Sequence, residues 1–296
     1  MTKFFDFNLD KFPHLEDQGA SWYYWKLPHA NFLSRITSWG GYLLHQITIW
    51  FLTFTALKKP DKREKALNWL YISNIIFVLL HFIQTHLFYD GIAQDVPIWT
   101  SQYSVIVMLV ILLFMLEEKR GLFFGKKIGI KKEYINNVKK WHGIYISWAI
   151  IYTFWFHPME GDIGLLLGFI YMFLLFIQLS MIFTPLHANI YWITLLESFV
   201  TIHSLSIALQ NNQEIWPMFL IGFLFMFVMT YQYGLKLKKS VYIINWILYI
   251  PLVISLYYFR GFNKLYELLF IPSALYGGVL LMFIVYNLLY RLKYNK

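Results

Sequence analysis

From Ile36 to Tyr290 the chain is a succession of apolar runs of membrane-crossing length, separated by short charged or turn-rich connections. A bilayer needs roughly 20 apolar residues per helical crossing, so such a chain has nowhere to place a soluble core. The runs fall at about 36–57, 67–89, 100–116, 141–156, 163–183, 186–209, 216–235, 241–259 and 265–290. The expected fold is all-α: a polytopic transmembrane helix bundle of about nine spans in a cytoplasmic-type membrane. Residues 36–296 form that helical domain, and residues 1–35 an extracytoplasmic, interfacial segment rich in aromatic residues, with Trp22-Tyr23-Tyr24-Trp25 as its belt. With 58% hydrophobic, 21% aromatic and only 14% charged residues, the composition points the same way.

Loop charge sets the direction of threading. Lys58, Lys59, Lys62, Arg63 and Lys65 follow the first run, and Lys119, Arg120, Lys126, Lys127, Lys131, Lys132, Lys139 and Lys140 follow the third. Lys236, Lys238 and Lys239, then Arg291, Lys293 and Lys296, add to the same side. Cytoplasmic loops collect Lys and Arg, which puts the N-terminus outside and the C-terminus inside. The formal charge of +9 is explained by these loops and calls for no nucleic-acid partner. The partner required is the lipid bilayer, with a quinone or other lipid-soluble substrate and membrane partner subunits as further expectations.

The chain has no cysteine, which excludes disulfides, Fe–S clusters held by thiolates and covalently attached haem. Histidine and carboxylate must supply any ligand set. The richest stretch runs from Asn74 through His81, Gln84, Thr85 and His86 to Asp90. With a helical rise of about 1.5 Å per residue, His45 and His81 reach one level about 13 Å below the outer surface, and His203 about 9 Å. His86, Asp90 and His157 lie at the outer mouth, while His142 and His187 fall near the cytoplasmic ends. Glu197 is the carboxylate nearest the bilayer middle, where an acidic side chain costs about 2.5 to 3.5 kcal/mol to insert.

Three functional readings follow. The first is a membrane metalloprotein with an outward-facing site, His45, His81, His86 and His203 as ligands to Fe, Cu or Zn, and Glu197 and Asp90 as catalytic carboxylates. It would be an oxidoreductase acting on a small or lipid-soluble substrate. The second is a haem b electron-transfer subunit, with His142 and His187 at the inner level and His157 and His203 at the outer, as in a four-helix dihaem cytochrome b. The third is a proton- or ion-coupled transporter using Glu197 and nearby histidine. A lone histidine in a span is more often a hydrogen-bonded packing residue than a ligand. The paired-histidine boxes of membrane desaturases are absent, as are the His-Glu-x-x-His, Gly-x-Ser-x-Gly and phosphate-loop motifs.

Overall fold

The computed structural model describes residues 31–159 and 163–294. The segment 1–35 therefore lies mostly outside the described residues, as do Glu160, Gly161 and Asp162. The described residues form nine α-helices: α1 Phe32–Lys58, α2 Arg63–Phe88, α3 Trp99–Arg120, α4 Lys132–Phe156, α5 Ile163–Ser180, α6 Ile190–Gln210, α7 Trp216–Met229, α8 Lys239–Arg260 and α9 Glu267–Tyr294. Seven of these regions are long and apolar enough to cross a membrane; α1 and α4 are the two that are not.

Local chemistry sets the helix ends. Asn31 caps α1, its side-chain oxygen accepting from the Ser34 amide at 2.6 Å. Pro60 and Pro217 sit in the first turns that lead into α2 and α7, where a missing N–H costs nothing. Gly121 closes α3 in the left-handed region at φ +73°, which only glycine adopts without strain. That stop lies beyond Arg120, so Arg120 is the last residue of a helix and not part of the following loop.

Polarity in α1 and α2 is inverted relative to a soluble protein. Helix α1 buries Ser34, Ser38, His45, Gln46 and Thr53 and exposes Leu33, Ile36, Leu43, Leu44, Ile47 and Phe51. Helix α2 does the same, burying Ser73, Asn74, His81, Gln84 and Thr85 beneath an exposed face of Ile72, Ile75, Ile76, Leu79 and Ile83. Apolar side chains turned outward in such numbers are stable only against an apolar surrounding.

The chain divides into two units. The first holds 1–105, 141–187 and 206–213, with α1 packed along α2 and α2 against α5. Gly91 lies so close to the ends of the α4 backbone that a Cβ there would come within 2.6 Å of the Trp155 and Phe156 carbonyl oxygens. The second unit holds 106–140, 188–205 and 214–296, with α7 packed against α8 and α9. Here α7 stops at Met229 and the chain continues as a 3-10 segment, Tyr231–Leu235.

Candidate functional site

Each unit carries its own buried polar chemistry. Six of the described histidines, His45, His81, His86, His142, His157 and His187, belong to the first unit, and His203 to the second.

In the first unit a directional hydrogen-bond chain crosses from α4 to α5. The Trp155 indole can only donate, and it donates to His45 Nδ1 at 3.2 Å. His45 must therefore carry its proton on Nε2, which it gives to Asn74 Oδ1 at 3.0 Å. The Asn74 amide nitrogen donates to Ser180 Oγ at 2.9 Å, and that hydroxyl donates to the Phe176 carbonyl at 2.8 Å. Both His45 nitrogens are consumed by this chain, and Phe77 stacks on the ring at 4.3 Å between centroids. His45 is a neutral, fully bonded core histidine.

His81 is buried against Phe154 and Trp155 and donates from Nε2 to the His157 carbonyl at 2.8 Å; its Nδ1 has no hydrogen-bond partner. His86 turns Nδ1 back to the Phe82 carbonyl of its own helix, and His157 does the same to Thr153. Asp90 is fully buried, accepting from the Gly91 amide, while its carbonyl accepts from Gln84. Among the described residues no three histidine or carboxylate side chains are placed to hold a metal ion. Equal depth says nothing of the direction in which a ring points, and these rings point at backbone and amide partners.

Of the four histidines expected to hold haem, His142 and His187 do meet. Their Nε2 atoms lie 3.0 Å apart. His187 donates from Nδ1 to the Gln178 carbonyl at 2.9 Å, and the Gln178 side chain donates back to the His187 carbonyl at 3.0 Å. This fixes the tautomer: the His187 Nε2 lone pair faces His142, and burial holds the ring's pKa below the usual histidine range. Nitrogens on opposite sides of one ion need about 4 Å between them, so the observed separation does not fit a haem iron.

In the second unit Glu197 has a partner that loop-charge counting hid. Arg120 Nη1 donates to Glu197 Oε2 at 2.6 Å and Nη2 to Oε1 at 2.5 Å, a two-pronged pair. The side chains are 0% and 1% exposed. The guanidinium lies 4.9 Å over the Tyr231 ring, on the 3-10 segment, and a Cβ at Gly234 would stand 3.4 Å from Arg120 Cδ. Two donors are left over. Arg120 Nε is without a partner, and so is the buried hydroxyl of Thr194, three residues before Glu197 and on its helical face. Nearby, Thr230 donates to the Leu122 carbonyl and pairs with the Tyr276 hydroxyl, and Gln232 binds the Val228 carbonyl. Three residues before Arg120 on α3, Glu117 accepts from the Ile128 and Gly129 amides, tying the following loop to the helix.

Length, composition and inverted polarity mark this chain as a helical protein of the multi-pass membrane type. No family model matches the sequence, and comparisons with curated proteins and with solved structures likewise find no match.

Proposed function

We propose that the chain is a nine-span protein of a cytoplasmic-type membrane, N-terminus outside, that carries a small monovalent oxyanion such as a monocarboxylate together with a proton. The observation that carries this reading is the buried Arg120–Glu197 pair beside a span that ceases to be α-helical. Irregular backbone at membrane depth is tolerated where protein buries it or where it lines a cavity, and ionisable groups there mark solute and proton paths. Helices α1 and α4 cross as well. The first presents an apolar outer face despite its polar inner one, and the second is buried within the first unit over 149–156.

Charge balance supplies the coupling. The pair is neutral as a whole. An anion that takes the guanidinium from Glu197 would leave a buried carboxylate without a counter-charge, at a cost of several kcal/mol. Protonation of Glu197 removes that charge, so one proton enters with each anion. Besides Arg120, the groups near this carboxylate that could exchange protons are the Tyr231 and Tyr276 phenols, which sit beside the guanidinium. Arg120 Nε and the Thr194 hydroxyl supply donors to the incoming oxygen.

Radiolabelled pyruvate uptake into proteoliposomes tests the site. The double variant Arg120→Leu/Glu197→Leu, which removes both charges, should retain its fold and lose uptake. Uptake by that variant equal to wild type would remove the pair from the pathway.

A further inference from the structure

We infer that one membrane face of the second unit binds the phosphate headgroup of an anionic phospholipid, held by Lys126, Lys127, Lys236, Lys238 and Lys239 beside Phe124. This rests on the multi-pass membrane reading alone and not on transport by the Arg120–Glu197 pair.

Chain order puts these residues at one level. Trp99–Arg120, Trp216–Leu235 and Lys239–Arg260 are each long and apolar enough to cross a bilayer. Lys126 and Lys127 follow the end of the first, and Lys236 and Lys238 fall between the second and the third, whose first residue is Lys239. Residues that join two crossings lie where hydrocarbon gives way to headgroups.

The two lysine runs also meet in space, because the loop after α3 is fastened across the turn from α7 to α8. The Phe124 amide donates to the Met229 carbonyl at 3.0 Å, and the Thr230 hydroxyl donates to the Leu122 carbonyl at 2.6 Å. A Cβ at Gly125 would stand 3.0 Å from Tyr233 Cδ1, and Tyr233 in turn stacks on Tyr242 of α8 at 4.8 Å. All five lysines are exposed, and none forms an ion pair with a carboxylate among the described residues. Glu117 is taken up by loop amides, and Glu118 by Lys132 and Lys139 at 3.4 and 3.8 Å. Like charges held on a fixed frame repel one another, and an anion among them relieves that repulsion.

What lies beside the charges selects a lipid over a dissolved anion. Phe124 is 54% exposed and stands in the left-handed region at φ +50°, which bulky residues rarely adopt. Its ring stacks on Trp246 of α8 at 5.5 Å. Along α8 beyond Lys239, Ile243, Ile244 and Ile247 are turned outward. Cations at the headgroup level, an aromatic ring at the boundary and aliphatic side chains deeper match the order of groups along an anionic phospholipid.

The test uses the full chain reconstituted in phosphatidylcholine vesicles, with tryptophan fluorescence quenched by brominated acyl chains. Brominated phosphatidylglycerol should show a saturable quenching component at low mole fraction that brominated phosphatidylcholine lacks, and Trp246→Phe should diminish it. A lysine near an anionic surface contributes roughly a factor of five to binding, so Lys126→Gln/Lys127→Gln should weaken that component roughly twenty-five-fold. Lys236→Gln/Lys239→Gln should do the same, whereas Lys59→Gln/Lys62→Gln, on the first unit, should leave it unchanged. Since the substituted side chains are exposed, an unchanged elution profile in detergent checks that each variant is folded. Equal quenching by the two lipids in the wild type overturns the inference. So does an unchanged component in the variant lacking Lys126, Lys127, Lys236 and Lys239, or its displacement by inorganic phosphate, which would make the site one for a free anion.

Discussion

Removing one charge of the Arg120–Glu197 pair and removing both should have opposite consequences. Arg120→Leu leaves the Glu197 carboxylate buried with no counter-charge, and breaking such a pair costs about 3 to 5 kcal/mol. At 1.4 kcal/mol per factor of ten, that is a drop of about a hundred- to several-thousandfold in the folded-to-unfolded ratio. Arg120→Leu/Glu197→Leu removes both desolvated ions, and replacements of this kind range from neutral to stabilising by about 1 to 4 kcal/mol. The loss of the guanidinium over Tyr231 takes back about 0.5 to 2 kcal/mol. The double variant should therefore lie between about 2 kcal/mol below and about 3.5 kcal/mol above wild type, and well above the Arg120→Leu single variant, a large favourable coupling in a double-mutant cycle. Equilibrium unfolding in mixed micelles reads all four members of the cycle. If Arg120→Leu alone matches the wild type, or the double variant is the least stable of the four, the carboxylate is not desolvated as described.

The remaining predictions concern topology and the first unit. With no native cysteine, single cysteines at Pro97 and Glu214 should react with an impermeant reagent from outside and those at Lys62 and Lys127 only from inside; all four positions are exposed. The reverse pattern would invert the threading. Trp155→Phe keeps an aromatic ring but removes the one donor to His45 Nδ1, and should cost about 1 to 3 kcal/mol by micelle unfolding. No change would mean that water reaches that nitrogen. Gly91→Ala forces a Cβ against two backbone oxygens, and should lower stability by about 1 to 3 kcal/mol in the same assay.

Helices were legible in the sequence because membrane crossing is a matter of length and apolarity, which are local properties. The run at 67–89 and helix α2 at Arg63–Phe88 nearly coincide. What a one-dimensional reading lost was direction around the helix axis. His45 and His81 could be assigned a depth but not a partner, and their partners proved to be Trp155, Asn74 and the His157 carbonyl, none of which has a sequence signature. His142 and His187, expected at one inner level, lie within hydrogen-bonding distance. Arg120 was missed for a different reason. Standing in Glu117-Glu-Lys-Arg-Gly121, it reads as one more loop cation, and only Gly121 as a helix stop signals that the helix runs through the charged group to Arg120. The end of α7 was hidden because the apolar run continues through Leu235 although the hydrogen-bond pattern changes at Thr230.

Coupling between proton and anion is the central claim, and internal acidification of proteoliposomes driven by an inward pyruvate gradient measures it directly. The wild type should acidify the lumen with one proton per pyruvate and no net current. Glu197→Gln, which cannot exchange a proton, should carry pyruvate with a current and without acidification. Acidification by Glu197→Gln at the wild-type rate, or pyruvate entry into wild-type vesicles with no proton at all, would contradict the account.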